Sequence, residues 1–267
     1  MKYPDPKRVE KLQAFDRLLT IMDELRNECP WDKKQTIASL RHLTIEETFE
    51  LADAIMENDL QEVKKEIGDI LLHLVFYAKI ASETNDFDIS DVINSLCDKM
   101  TIRHPHIYGG TKVDNEEEVK RNWEEIKLKE GGEKTVLGGV PNALPALLKA
   151  IRIQDKARGA GFDWDNKADV WAKVKEELQE FEDEFLNTTS DNSEAAEAEF
   201  GDLLFSLVNF ARFSKINPET ALEKTNRKFI RRFNYLENQA KVNNQVLQKM
   251  TLAEMDLYWD EAKKLGL

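Results

Sequence analysis

The sequence predicts an all-α fold built from two homologous helical domains packed as helix bundles, and three observations support this prediction. Nearly every long segment repeats its apolar side chains every three to four residues, which is the period of a helix and not of a strand. The chain has only 11 glycines and 7 prolines among 267 residues, fewer than a turn-rich β fold needs. The same order of polar motifs occurs once in each half.

In the first half, a long helix ends before the loop at residues 29–32. Two further helices follow, and the second of them contains the apolar run of residues 70–81. Ser90 is the predicted N-cap of a fourth helix, because its hydroxyl can accept a hydrogen bond from the free backbone N–H groups of the first turn. A charged helix around Trp123 then leads to the glycine-rich residues 131–141, the predicted linker.

The second half repeats this order of helices. A helix starts near Pro145, and after a loop come an acidic helix, a polar loop and a helix with the apolar run of residues 203–213. A basic helix and a final helix, for which Thr251 is the predicted N-cap, complete the half. We therefore place one domain at residues 1–132 and the other at residues 141–267.

Four motifs recur in one order with identical internal spacing. The matched pairs are Glu46-Glu47-x-x-Glu50 with Glu176-Glu177-x-x-Glu180, Glu66-x-Gly68-Asp69 with Glu199-x-Gly201-Asp202, Lys99-x-x-x-Arg103 with Lys228-x-x-x-Arg232, and Trp123-x-x-x-Lys127 with Trp259-x-x-x-Lys263. Chance does not readily produce such agreement, so we infer that the halves are homologous.

The composition limits the class of protein and its partners. Hydrophobic residues make up 41% and charged residues 33% of the chain, as in a soluble globular protein. A net charge of −13 repels nucleic acid and anionic membranes, so neither is an expected partner. No apolar run approaches the roughly 18 residues of a membrane span. The charged N-terminus does not resemble a signal peptide, and the two cysteines match no metal or redox spacing, which together predict a cytoplasmic protein.

Paired carboxylates on two predicted helices are the first candidates for chemistry. Glu177 and Glu180 lie three residues apart in an acidic helix, and so do Glu199 and Asp202 in the next helix. Side chains at this spacing share one helix face. In a chain this acidic, the pattern Glu-Glu-x-x-Glu alone is more often a solvated surface, so it does not by itself indicate a metal site.

The aspartates favour the metal site. Asp69 and Asp202 each precede an apolar run, which predicts that their carboxylates are partly buried. An unpaired buried charge is costly, and no basic residue lies within one helical turn of Asp202. A bound cation would compensate the charge, and carboxylate oxygens suit Mg²⁺, with Mn²⁺ as its substitute. The predicted metal ligands are Glu177, Glu180, Glu199 and Asp202, with a second candidate set of Glu47, Glu50, Glu66 and Asp69 in the first half.

The positions of the histidines argue against iron or zinc. All four histidines and both cysteines lie in the first half of the chain. Di-iron bundles use Glu-x-x-His pairs on inward helix faces, and zinc takes nitrogen or sulfur ligands. The carboxylates of the second half therefore favour a cation that binds oxygen alone.

Basic and aromatic side chains in the last two predicted helices are candidate nucleotide ligands. Lys228 and Arg232 stand one turn apart and suit phosphate groups. Trp259 and Lys263 suit base stacking and phosphate contact. Each pair also has a plainer interpretation, because a basic pair can be a solvated helix face and a helical tryptophan is more often a core residue.

The two halves differ one turn before their Glu-Glu-x-x-Glu motifs. Lys173 precedes Glu177 on the same helix face, whereas Leu43 precedes Glu47. We therefore expect the first half to lack a phosphate-binding cation and the second half to be the catalytic one. The alternative is that Leu43 is a core residue and another side chain supplies the charge.

Together these motifs resemble the MazG family of nucleoside triphosphate pyrophosphohydrolases, in a tandem two-domain form that covers essentially the whole chain. The most specific stretches are CPWDKKQT at residues 29–36, EETFE at 46–50, GGVP at 138–141, GFDW at 161–164 and NRKFIRRF at 226–233. The resemblance implies an all-α homodimer whose metal ligands are Glu177, Glu180, Glu199 and Asp202 and whose nucleotide ligands include Lys173, Lys228, Arg232, Trp259 and Lys263. Family members often have a second acid just before the Glu-x-x-Asp glutamate, where this chain has Lys65 and Ala198.

The function implied by the resemblance is Mg²⁺-dependent hydrolysis of nucleoside triphosphates to nucleoside monophosphates and pyrophosphate, with broad specificity. A water activated by the metal would attack the α-phosphorus, with Glu176 as a candidate general base. The sequence has no Gly-x-x-x-x-Gly-Lys-Ser/Thr motif for transfer of the γ-phosphate. Two alternatives stay open at this point: a non-catalytic helical interaction module, and a relative specialised for a single nucleotide such as dUTP.

Overall fold

The computed structural model describes residues 4–130, 135–187 and 194–267, and these residues contain helices and no strand. The predicted all-α class is therefore confirmed. The helices of the first half are α1 (Arg8–Glu28), α2 (Ile37–Glu57), α3 (Leu60–Ser82), α4 (Ile89–Arg103) and α5 (Pro105–Tyr108). Those that follow are α6 (Glu116–Lys129), α7 (Ala146–Gly159), α8 (Lys167–Asn187), α9 (Glu194–Phe213), α10 (Pro218–Val242) and α11 (Leu252–Lys264). None of the helices in the described ranges has both the length and the apolar character that a membrane span requires.

The chain divides into two compact units, Met1–Val113 and Asp114–Leu267. The division falls before the predicted linker, parts of which lie outside the described residues. The repeat assigned α6 to the first domain, but α6 packs against α7 in the second unit. Arg152 of α7 and Glu124 of α6 form a long ion pair across this contact, with 3.9 Å between the nitrogen and the oxygen. The contacts of α6 therefore place it with the second unit.

Side-chain caps set the start of several helices. Thr251 caps α11 as predicted, since its hydroxyl accepts a hydrogen bond from the backbone of Glu254. The prediction for α4 was wrong by two residues. The carboxylate of Asp88 accepts hydrogen bonds from the backbone N–H groups of Ser90 and Asp91, so Asp88 is the N-cap and Ser90 lies within the first turn. A carboxylate also interacts favourably with the positive end of the helix dipole.

In the first unit, α1, α2 and α3 enclose a core centred on Met22, Leu40, Val75 and Phe76. Only two residues separate α2 from α3. Asn58 adopts the left-handed conformation (φ 56°) and the next residue caps α3, so the two helices pack against each other as a hairpin. This hairpin brings the Glu-Glu-x-x-Glu helix beside the Glu-x-x-Asp helix.

The second unit repeats this helix pairing, because α8 packs along α9. Val170 and Val174 of α8 and Leu203 and Val208 of α9 are buried. The α10–α11 hairpin has its own buried side chains, among them Leu236. Again, the two acidic motifs lie on neighbouring helices.

Candidate functional site

Three carboxylates converge where α8 meets α9. Glu177, Glu199 and Asp202 each offer one oxygen, and these oxygens lie within 4.8 Å of one another. Mg²⁺ binds oxygens at about 2.0–2.1 Å, so a small inward movement would let all three contact one ion. The set contains neither nitrogen nor sulfur, which fits Mg²⁺ or Mn²⁺. We call these three residues the second-unit cluster.

The carboxylate that is buried in this cluster is not the one that the sequence predicted. Asp202 is exposed, although it was expected to be partly buried at the start of its apolar run. The buried member is Glu177, with 7% of its surface exposed. Asp202 and the buried Leu203 are consecutive residues, and consecutive side chains of a helix point about 100° apart, so the carboxylate leaves the core that Leu203 enters.

Two predicted site residues lie beside the cluster and not within it. Glu180, predicted as the fourth ligand, is exposed and is not one of the three grouped carboxylates. Desolvation, followed by the negative charge of Glu177, raises the pKa of Glu180, so this carboxyl lies near that one member of the cluster. Glu176, the predicted base, is also exposed, and its Oε1 accepts a hydrogen bond from Lys173 at 2.8 Å.

Lys173 lies at the cluster as predicted. Its Nζ is 2.8 Å from Oε1 of Glu176 and 2.7 Å from Oε1 of Glu177. Hydrogen bonds to Glu176 first, and then to Glu177, raise the pKa of Lys173 above its ordinary value. The ammonium group thus compensates the buried carboxylate, and it can turn toward a bound phosphate.

The first unit holds an equivalent cluster. Carboxylate oxygens of Glu47, Glu66 and Asp69 lie within 4.8 Å of one another, while Glu50 is not one of this group. Glu66 is fully buried, and its Oε2 has no hydrogen-bond partner among the described residues. Desolvation, followed by the charge of Asp69, raises the pKa of Glu47. An unsatisfied buried carboxylate oxygen is the kind of atom that a cation would coordinate.

The expectation that the first half lacks a local cation is wrong. Nζ of Lys65 is 2.8 Å from Oε1 of Glu66 and 2.7 Å from Oε1 of Glu62. Leu43 packs against the core of the first unit instead of facing the cluster as a counterpart of Lys173. The first cluster therefore takes its cation from α3, and the second takes its cation from α8.

The candidate nucleotide ligands of α10 and α11 form a group of their own. Arg232 donates a hydrogen bond from Nε to the backbone oxygen of Leu267 at 2.7 Å, and its guanidinium lies 5.9 Å from the centre of the Trp259 ring. Trp259 also contacts Phe229, with 5.0 Å between ring centres, and Lys263 pairs with Asp260 at 2.9 Å.

Lys228 is exposed on α10. In the described parts of this chain, no ion pair joins Lys228, Arg232 or Lys263 to a cluster carboxylate.

A cavity that the sequence did not predict adjoins the second-unit cluster. It has a volume of about 370 Å³, and Lys173, Glu177 and Asp202 form part of its wall. Most of the remaining wall is apolar and includes Leu137, Ile153, Phe162, Trp164, Val170 and Phe205. A larger cavity of about 810 Å³ between α6 and α7 has no residue of either cluster in its wall.

The aromatic side of this cavity depends on the loop between α7 and α8. Gly161 has φ +88°, a conformation that side chains other than glycine rarely adopt, and it turns the chain into Phe162. Asp163 accepts two hydrogen bonds from Arg212 of α9, at 2.5 and 3.1 Å. Asn209 accepts two further hydrogen bonds from the same guanidinium. The GFDW motif at residues 161–164, which carries part of the family resemblance, is thus the sequence signal for this wall.

A family model described as the MazG nucleotide pyrophosphohydrolase domain matches this chain twice, at residues 35–108 and 166–236. Each matched segment contains one hairpin with its complete carboxylate cluster. The chain belongs to the MazG family. Its two clusters are therefore the acidic centres of two MazG domains in tandem.

Relatives align with this MazG-family chain over nearly its whole length. It is 42% identical over 253 residues to the Thermotoga maritima nucleoside triphosphate pyrophosphohydrolase/pyrophosphatase MazG, which covers 93% of this chain and 95% of the relative. It is 39% identical over 259 residues to the Escherichia coli K12 nucleoside triphosphate pyrophosphohydrolase, which covers 95% and 98% of the two chains. A longer Bacillus subtilis protein, YabN, is 46% identical over 268 residues, 98% of this chain and 54% of that protein.

Proposed function

We propose that this chain hydrolyses nucleoside triphosphates to nucleoside monophosphates and pyrophosphate, with broad specificity for the base. The observation that supports this activity most directly is the second-unit cluster, whose Glu177 and Asp202 share a cavity wall with Lys173. Carboxylates that can bind a cation and a lysine that can bind a phosphate thus lie beside a cavity that can receive the organic part of a nucleotide. Relatives that align along the whole chain bear the name of this activity.

The carboxylates would hold magnesium. Glu177, Glu199 and Asp202 are the proposed ligands, and Glu180 stands close enough to sense the charge of Glu177. Mg²⁺ would supply neutralisation of the triphosphate charge and a water of lowered pKa. The carboxylates also explain how so acidic a chain accepts a triphosphate, because they repel the free anion and attract its complex with a cation.

Lys173 and Glu176 would work as a linked pair. In the structure the ammonium of Lys173 is shared between Glu176 and Glu177. When a phosphate draws Lys173 away, the carboxylate of Glu176 loses its hydrogen-bond donor and becomes a better proton acceptor. Water then forms a bond to the α-phosphorus, the bond from that phosphorus to the pyrophosphate oxygen breaks, and the proton passes to Glu176.

The remaining nucleotide ligands would come from a second copy of the chain. Within the described residues no ion pair joins Lys228, Arg232 or Lys263 to a cluster carboxylate, yet their positive charges suit the phosphates of the substrate. Exposed apolar side chains lie on both helices concerned, including Leu204 on α9 and Ile230 on α10, which are 46% and 55% exposed. A homodimer in which α10 approaches the cluster of its partner would cover such side chains and complete the site.

An assay of purified protein tests the activity. The chain is incubated with Mg²⁺ and each of the common ribo- and deoxyribonucleoside triphosphates, and products are separated by chromatography. We expect monophosphate and pyrophosphate from several bases, and none from Asp202→Asn. Orthophosphate with accumulating diphosphate would contradict the proposed bond cleavage. Hydrolysis of only one nucleotide would contradict broad specificity and indicate an enzyme specialised for that nucleotide.

A further inference from the structure

Gln154 of α7 has an unusual position in the cavity wall. Its side chain is buried, with 6% of the residue surface exposed. Nε2 donates a hydrogen bond to the backbone oxygen of Phe205 at 2.8 Å. Oε1 is also buried, but it has no hydrogen-bond partner among the described residues. Buried polar atoms in proteins almost always have a partner, so this oxygen points to a group that the chain itself does not supply.

The hydrogen bond to Phe205 fixes which end of the amide is free. A backbone carbonyl oxygen can only accept, so the nitrogen of the Gln154 side chain has to face Phe205. The free end is therefore the carbonyl oxygen, which can accept but not donate. Its partner is therefore a hydrogen-bond donor of a ligand in the cavity, either an N–H or an O–H group.

The rest of the wall indicates what kind of ligand brings that donor. Lys173, Glu177 and Asp202 occupy one part of the wall, where the metal-bound phosphates of the proposed substrate would lie. Phe162 and Trp164 supply aromatic surface elsewhere, with 6.5 Å between their ring centres. The volume of about 370 Å³ lies within the range of roughly 300–1,000 Å³ typical of small-molecule sites.

We infer that the cavity receives the base of the nucleotide and that Gln154 is a specificity-determining residue, whose Oε1 accepts a hydrogen bond from an N–H group of that base. This inference rests on the proposed function. Adenine and cytosine offer an exocyclic amino group, while guanine and uracil offer ring N–H groups. A lone acceptor therefore favours a base over a ligand without a donor, and it discriminates only weakly among bases.

A pair of substrates that differ by one donor tests the inference. ATP and purine riboside 5′-triphosphate differ only in the N6 amino group. We expect the wild-type chain to have a kcat/KM about tenfold higher for ATP, the typical worth of one hydrogen bond to a buried acceptor. In Gln154→Met, which keeps a similar side-chain length without the acceptor, this ratio falls close to one. Gln248→Met, an exposed substitution of the same kind, keeps the wild-type ratio.

The outcomes separate this inference from the proposed function. If the wild-type chain hydrolyses neither nucleotide, the proposed function fails. If it hydrolyses both equally well, or if Gln154→Met retains the preference for ATP, the proposed hydrolase activity is supported and the role of Gln154 is refuted. Circular dichroism checks the fold of each variant, and Gln154→Leu replaces the methionine variant in the same comparison if that variant loses its helical signal.

Discussion

Nζ of Lys173 lies 2.7 Å from Oε1 of Glu177, the buried carboxylate of the second-unit cluster. This ammonium group supplies the compensating charge that a buried carboxylate needs. Binding of Mg²⁺ to the cluster would therefore compete with Lys173 for Glu177 and release the lysine for a phosphate.

Replacement of this lysine is expected to have two measurable effects. Lys173→Met should raise the KM for nucleoside triphosphates about ten- to a hundredfold, because one charge-assisted phosphate contact is lost. It should also enlarge the rise in melting temperature that Mg²⁺ causes, because the ion no longer displaces an ammonium group. Steady-state kinetics and thermal unfolding measure these effects. Lys175→Met, on the exposed side of the same helix, is the matched control; an equal effect of both substitutions would contradict the role of Lys173.

The two clusters are expected to contribute unequally to hydrolysis. Because each cluster has a lysine, the expected difference in activity depends on the cavity that adjoins only the second-unit cluster among the described cavities. The double variant Glu177→Ala with Glu180→Ala should abolish hydrolysis, whereas Glu47→Ala with Glu50→Ala should leave much of it. Product chromatography measures the activity, and circular dichroism confirms the fold. A dead first-unit variant beside an active second-unit variant would reverse the assignment.

Dependence on a divalent cation follows from the all-oxygen composition of the cluster. We expect EDTA to abolish hydrolysis, Mg²⁺ or Mn²⁺ to restore it, and Zn²⁺ to restore it no better. Glu199→Gln should raise the Mg²⁺ concentration needed for half-maximal activity, because one charged ligand becomes neutral. Full activity in the presence of excess chelator would disprove the metal requirement.

The loop that forms the aromatic wall should become less stable at low pH. Burial raises the pKa of Asp163, but hydrogen bonds from Arg212 and from the backbone of Trp164 outweigh it and hold the pKa below the ordinary value of 3.8. A lowered pKa stabilises the fold above that ordinary value, and the contribution is lost as the pH falls through the pKa in the folded state. Asp163→Asn should therefore cost about 1–3 kcal/mol near pH 7 and progressively less below pH ~4. Urea unfolding across this range measures the difference, and Asp165→Asn is the exposed control; a difference that does not change with pH would refute the ion pair as its cause.

If the proposed homodimer forms, the protein at micromolar concentration should have a molecular mass twice the 30.9 kDa of one chain. Leu204→Lys, which places a charge on the exposed apolar face of α9, should shift the protein toward the monomer and lower activity together. Val242→Lys, at the end of α10, should change neither property. Light scattering coupled to size-exclusion chromatography measures the mass, and an active wild-type monomer would exclude a site that needs two chains.

Local rules of helix geometry made part of the site predictable. Because residues three or four apart share a helix face, the sequence alone indicated that Glu199 and Asp202 lie together and that Lys173 faces Glu177. The structure confirms both relationships. Glu180 shares the face of Glu177 but is not one of the three grouped carboxylates, because a shared face does not specify which side chain turns toward the neighbouring helix.

By itself the sequence determined the helical class from its apolar period, the duplication from motifs repeated in one order, and all six cluster carboxylates from spacing within single helices. Only the tertiary structure decided which carboxylate is buried, that Lys65 serves the first cluster, and that α6 packs against α7. It also revealed the cavity, where Gln154 meets Phe205 across 51 residues of chain and Asp163 meets Arg212 across 49. Contacts of this range depend on how whole helices pack, and no periodicity within one helix encodes them.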